Sequence, residues 1–273
     1  MPACRREDEV SEQVLLESMD RGLLTLTMNR PERRNALNPD LTARLLEAAA
    51  RASQDCEVRA VLLRGAGGTF CVGGDVKAMA ARTGGNDSYE QRVADLRCRM
   101  EVSRLLHDMP KPVVAMIDGA AAGAGLAMAL ACDLRIAGAS AKITTAFAKV
   151  GLSGDFGGTY FLTHLVGSAK ARELYLTSPL LTADEALRLG LVNRVVPDAE
   201  LGKATLELAR SLADGPTVTL GYIKRNLNLA EQLPLEAVLD AEAMHHIRCT
   251  ATDDHKEAAT AFVEKRVATF RGR

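Results

Sequence analysis

The sequence predicts an α/β core followed by a wholly helical tail. Three observations lead there. Short apolar runs of strand type alternate with helix-length amphipathic segments as far as Pro197. Glycine-broken corners stand where two of these strands give way to helices, at 65–74 and 118–125. Beyond Pro197 the apolar periodicity is helical only.

In chain order, LLTLTMN at 23–29 alternates, with Leu24, Leu26 and Met28 on one face, and reads as a strand. Asn38-Pro39 opens a helix, because Asn accepts from the first free N–H groups and Pro has none to lose. Leu41, Leu45, Leu46 and Ala49 give that helix its apolar face. Ala60 to Leu63 reads as a buried strand, and one long helix is expected to end near His107, before Pro110. Strand Val113–Ile117, an Ala/Gly-rich helix to about Ala131 and strand Leu134–Ala137 follow. Thr182 with Glu185 forms a capping box for a short helix that Gly190 ends, and Val192–Val196 is expected as a strand. Helices are expected at 199–213, 217–229, 235–247 and 254–266. The reading divides the chain into a flexible tail at 1–12, a core at 13–214 and a helical region at 215–273, with Gly215-Pro216 at the boundary.

With 273 residues, 47% of them hydrophobic, the chain can bury a large core. Its 34 basic residues balance 35 acidic ones, so no global field draws it to nucleic acid or anionic lipid. The apolar runs at 113–117 and 123–131 are too short to span a membrane. The six cysteines are scattered without a C-x-x-C pair, which suggests neither zinc nor a disulfide framework and fits a reduced, cytoplasmic setting. No metal is expected.

Chemistry is concentrated in the two glycine segments, Phe70-Cys71-Val72-Gly73-Gly74-Asp75-Val76-Lys77 and Asp118-Gly119-Ala120-Ala121-Ala122-Gly123-Ala124-Gly125. Small residues let a ligand approach the main chain, and two N–H groups aimed at one point would make an oxyanion hole. The same residues also serve as packing devices at strand–helix corners. A phosphate-binding P-loop is excluded by sequence, and Gly65-x-Gly67-x-x-Phe70 lacks the last glycine of the dinucleotide fingerprint.

Taken together, Asn29-Arg30-Pro31 with Asn35-Ala36-Leu37, FCVGGDVK, KPVVAMIDGAAAGAGLAMALACDLRIA, DFGGT with Gly167, and the closing AFVEKRVATF resemble the crotonase (enoyl-CoA hydratase/isomerase) superfamily from about residue 14 to 270. In motif the chain most resembles the epoxyphenylacetyl-CoA isomerase-like branch. The resemblance implies a spiral of repeated ββα turns with a C-terminal helical oligomerisation region that forms trimers, often paired into hexamers. It implies an acyl-CoA thioester substrate, with coenzyme A as part of the substrate and no separate cofactor. The oxyanion donors would be the N–H groups of Gly74 and Ala124, where the family typically has glycine at the second position. Gly74, Asp75, Val76 and Lys77 would border the adenine and pantetheine of coenzyme A, and Cys71, Gly73, Ala124 and Phe147 would also be among the substrate-binding residues. Arg33, Lys77, and Lys265 from a neighbouring subunit would meet its phosphates.

The resemblance also marks a departure. The two carboxylates that hold water in the family's hydratases fall on Ala127 and Phe147, neither of which transfers a proton. Asp155 remains, matching the catalytic aspartate of double-bond isomerases, though an Asp ahead of Phe-Gly-Gly-Thr could equally cap the helix beginning near Gly158. Isomerisation with Asp155 as single acid/base leads; hydration and a silent acyl-CoA binder are the alternatives. Asp133 reads as a structural hydrogen-bonder, His164 as packing, and His245-His246 as about 100° apart on a helix, which suits no shared metal.

Overall fold

The computed structural model describes residues 13–76 and 87–273; the 1–12 tail and Lys77 lie outside them. Its strands are β1 (Leu15–Asp20), β2 (Leu23–Met28), β3 (Ala60–Gly65), β4 (Val113–Ile117), β5 (Ala120–Ala122), β6 (Leu134–Gly138), β7 (Lys142–Thr144), β8 (Leu181–Thr182) and β9 (Arg194–Val196). Its helices are α1 (Pro39–Gln54), α2 (Tyr89–Arg99), α3 (Glu101–Asp108), α4 (Ala124–Leu130), α5 (Gly158–Thr177), α6 (Ala183–Arg188), α7 (Asp198–Ala213), α8 (Thr217–Ala230), α9 (Leu235–Thr250) and α10 (Asp253–Glu264).

A six-stranded sheet runs β1-β2-β3-β4-β6-β9, parallel throughout except for the β1–β2 hairpin. Register is set by pairs such as Leu26 with Leu63, Val114 with Leu134 and Ala137 with Val195. Its central strands β3, β4 and β6 are buried on both faces, as parallel strands are, while the edge strand β1 is exposed beyond Leu15. Leu24, Leu26 and Met28 join α1 on one side, while Leu23, Leu62 and Met116 pack with Leu201, Ala209 and Ala213 of α7 on the other. Fully buried side chains such as Leu26, Met28 and Leu63 each contribute about 1.5–3 kcal/mol by leaving water.

After β2, β3, β4 and β6 the chain makes a short extended step before entering a helix or helical turn. These steps line up as β5 parallel to β7, β7 antiparallel to β8, and single bridges Leu37 to Gly74 and Cys71 to Ala121. This is the spiral of ββα turns the resemblance implies, and it sets segment 71–74 directly beside segment 120–122.

The local signals hold where they rest on a cap. Asn38 Oδ1 accepts the Leu41 N–H at 2.8 Å, and the Thr182–Glu185 box is reciprocal. Two expectations change. The single helix before Pro110 breaks at Met100: α2 buries no side chain, whereas α3 buries Val102, Ser103 and Leu106, so the chain bends where it reaches the core. The strand expected over 192–196 pairs only from Arg194, because Leu191 and Val192 turn into the core.

Candidate active site

Motif by motif, the sequence builds a frame for the main chain. Asn35 is fully buried in a left-handed conformation (φ 55°). Its amide donates to the Ala66 and Thr69 carbonyls at 2.9 and 2.6 Å and accepts the Arg30 N–H at 2.9 Å. The same stretch pairs with the first glycine segment: Leu37 N–H donates to Gly73 O at 2.7 Å, and Val72 N–H to Arg34 O at 3.3 Å. Arg30 also faces Asp75 at 3.5 Å, both side chains largely shielded. The Asn-Arg-Pro and Asn-Ala-Leu motifs thus fix the position of residues 72–75.

Cys71 ties this segment to the next. Its N–H donates to Ala120 O at 3.0 Å and its carbonyl accepts from Ala122 at 3.0 Å. Its side chain is wholly buried, which pushes the thiol up to about 12, and Sγ accepts from Gly73 N–H at 3.4 Å. Gly73 sits at φ 85°, and a methyl group there would come within 2.9 Å of Ala122 O and 3.1 Å of the Ala124 nitrogen. The two glycine segments therefore touch main chain to main chain. Among the described residues, neither the Gly74 nor the Ala124 N–H donates a hydrogen bond, Ala124 because it is the first residue of α4. Ala124 is 3% exposed, so its methyl lies within the packing. Gly125 fits the packing reading instead, since a side chain there would strike Cys71.

Asp155 lies on the turn into α5, a turn made by Gly154 (φ 113°), Phe156 (φ 49°) and Gly157 (φ 76°). The capping role is overturned: α5 has no side-chain cap, and it is the Asp155 main-chain carbonyl that accepts Gly158 N–H at 3.0 Å. Its Oδ1 is buried without a hydrogen-bond partner. Burial alone pushes the carboxyl up to about 6.

The two positions at which the resemblance puts the hydratase carboxylates carry none. Ala127 and Phe147 are 1% and 6% exposed. Sequence reading missed Tyr175 on α5, whose ring stacks on Phe147 with centroids 5.9 Å apart and planes 2° apart. Burial raises the Tyr175 phenol above its usual range, the Thr159 hydroxyl opposes that, and the Asp155 charge adds to it. A signal existed in Gly154 and Gly158, whose missing side chains leave the space Tyr175 fills.

The remaining expected residues are dispersed. Arg33 ends an exposed 3-10 turn (Pro31–Arg33) next to the 34–72 pairing, and Val76 is half exposed. Lys265 is exposed at the end of α10, on the tail. Asp133 accepts Val113 N–H at 2.7 Å and Lys224 Nζ at 2.9 Å, a structural tie between core and tail. His164 Nδ1 lies 2.9 Å from Tyr160 O, and His245 stacks on Tyr222. Among the described residues no cluster could hold a metal and no helix is long and apolar enough to cross a membrane.

The enoyl-CoA hydratase/isomerase family model matches residues 18–273, spanning every segment just described. The chain belongs to the enoyl-CoA hydratase/isomerase family. Similar curated relatives include the 1,2-epoxyphenylacetyl-CoA isomerase of Escherichia coli, 37% identical over 96% of this chain and 99% of that protein. The short-chain-enoyl-CoA hydratase of Clostridium acetobutylicum is 35% identical over 93% and 95%. Among solved structures, an enoyl-CoA hydratase from Polaromonas superposes with TM-score 0.88 at 32% identity, covering 94% of this chain and 99% of that one. As an enoyl-CoA hydratase/isomerase family member the chain is an acyl-CoA enzyme of crotonase fold.

Proposed function

We propose that this enzyme moves a carbon–carbon double bond within an acyl-CoA thioester, with Asp155 as its single acid and base. The observation that carries the reading is the carboxyl of Asp155, largely desolvated, unpartnered at Oδ1 and raised to about 6, near Tyr175. A general base of that pKa is partly ionised near neutrality and gives its proton back readily. The resemblance to the isomerase of Escherichia coli supports the same reading.

In this mechanism the thioester oxygen accepts from the Gly74 and Ala124 N–H groups. Asp155 takes a proton from the α carbon of a β,γ-unsaturated thioester, and the C–H electron pair moves into the thioester as a dienolate. The enolate charge rests on the two donors, each worth about 2.7–4 kcal/mol at such a position. Asp155 then returns the proton to the γ carbon, the electrons settle as an α,β double bond, and no atom is gained or lost. The coenzyme A moiety follows the Gly73–Lys77 segment, with Arg33, Lys77 and a neighbouring subunit's Lys265 near its phosphates.

The hydratase relative in Clostridium acetobutylicum favours a second reading, addition of water with Asp155 on a differently held water. Incubating the protein with β,γ- and α,β-enoyl-CoA esters separates the two. Interconversion of the isomers without 3-hydroxyacyl product is the expected result; 3-hydroxyacyl-CoA as main product would overturn it.

A further inference from the structure

We infer that Tyr175 is a specificity-determining residue that keeps water away from the Asp155 carboxyl, so that the proton Asp155 removes is the proton it returns. The inference rests on the isomerase reading above and adds a residue that reading does not use.

Tyr175 is placed with care. The Leu174 carbonyl before it accepts the Thr145 hydroxyl at 2.8 Å and the Ser178 N–H at 3.0 Å, which fixes this end of α5 to the strand leading to Phe147. From there the phenol ring lies flat on Phe147 and reaches the turn that carries Asp155. Two residues of that turn and helix have given up their side chains to it. A methyl at Gly158 would lie 2.5 Å from the Tyr175 hydroxyl, and one at Gly154 would lie 3.0 Å from its ring. On the far side, Ala127 Cβ approaches the same Gly158 position at 3.1 Å.

What remains between Gly123, Ala127, Phe147, Gly158 and Tyr175 is a cavity of about 10 Å³. That is at or below the space one water occupies, and the walls, apart from the phenol and Thr145, are apolar. A water there would need hydrogen-bond partners that Ala127 and Phe147 do not provide. Asp155 stands next to this cavity, on the turn between Gly154 and Gly158 against which Tyr175 packs, and its Oδ1 is buried with no hydrogen-bond partner among the described residues. An acid whose inner oxygen is closed off from water on the Tyr175 side exchanges its proton slowly during the lifetime of the enolate.

The test is isotopic. Native protein, Tyr175→Ala, Tyr175→Leu and Tyr175→Phe are run on a β,γ-enoyl-CoA in deuterated water, and solvent deuterium at the γ carbon is measured per turnover. Native protein and Tyr175→Phe, which keeps the ring, are expected to retain most of the substrate's own proton. Tyr175→Ala and Tyr175→Leu open the cavity and are expected to incorporate solvent deuterium in the majority of turnovers. The ratio is internal to each turnover, so a smaller folded fraction does not move it, and either opened variant alone suffices. Full exchange in the native protein, or unchanged retention in the opened variants, overturns the inference. Asp155→Asn, run alongside, separates the two claims: full isomerase activity there defeats Asp155 as the acid and base of the proposed mechanism, whereas loss of activity with an unresponsive Tyr175 defeats only this inference.

Discussion

Gly73 and Ala124 are in main-chain contact: the space a methyl at Gly73 would need ends 3.1 Å from the Ala124 nitrogen. That contact joins the two glycine segments main chain to main chain, and a side chain at 73 would force one of them to shift.

Gly73→Ala is therefore expected to be costly twice over. The residue sits at φ 85°, and the added methyl would press on the Ala122 carbonyl, so a penalty of about 1–3 kcal/mol in stability follows. Displacing Ala124 also spoils the aim of its N–H, and kcat should fall by more than the stability loss accounts for. Steady-state kinetics beside thermal unfolding checks it; wild-type kcat in the folded variant would contradict the placement of the donors.

Asp155→Asn should lower the isomerase rate by about 10²–10⁴, the scale of losing a positioned proton carrier. Because the side chain caps nothing, unfolding should not become easier. A carboxyl raised from 3.8 to about 6 on folding binds more protons in the native state, so its contribution to stability falls as pH rises from about 4 through 6. The Asn variant should lose that decline, as denaturant titrations across the window would show.

The pH–rate profile carries the same signature with the opposite slope. Asp155 must be ionised to remove the α proton, so kcat/KM should rise through an apparent pKa near 6 and level off above it. A flat profile between pH 5 and 7 would remove Asp155 from the proton-transfer step.

Asn35→Ala tests the frame apart from the chemistry. The change deletes three hydrogen bonds of a fully buried amide and puts alanine at φ 55°. A loss of about 2–4 kcal/mol is expected, at roughly 1 kcal/mol per bond plus unsatisfied carbonyls. Urea unfolding gives the value; a loss under about 0.5 kcal/mol would mean another residue holds the first glycine segment.

Assembly is the last. On the tail, Ile247, Phe262, Val263 and Val267 are between 66% and 90% exposed. Side chains of that size in one region call for a partner surface, and a trimer or hexamer is expected in light scattering. Replacing Phe262 and Val263 with Ser should shift the distribution toward monomer.

Much of the fold was legible because its signals are local: Asn38 before Pro39, the Thr182–Glu185 box, and the alternation at Leu24, Leu26 and Met28 each act within a few residues. The short strands β5, β7 and β8 were not, since two or three residues carry no period and their pairing depends on turns far away in sequence. The glycine segments stood out because close approach of main chain to main chain demands small residues. Tyr175 could not, as one aromatic on a helix looks like any packed side chain until Gly154, Gly158 and Phe147 are seen against it. Asp155 was legible as a candidate, but only the geometry of the turn separates a free carboxyl from a helix cap.

The spiral has a kinetic consequence for how activity arises as the chain folds. Gly74, Ala124 and Asp155 come from successive turns; Gly74 bridges Leu37, and the strand just before Ala124 pairs with β7. Such distant pairings are slow to form. On the proposed mechanism, a chain with only its first turns formed would hold Gly74 but have neither Ala124 nor Asp155 in place. Catalysis is therefore among the last properties the chain acquires during folding, and recovery of turnover after dilution from denaturant should trail recovery of helical signal.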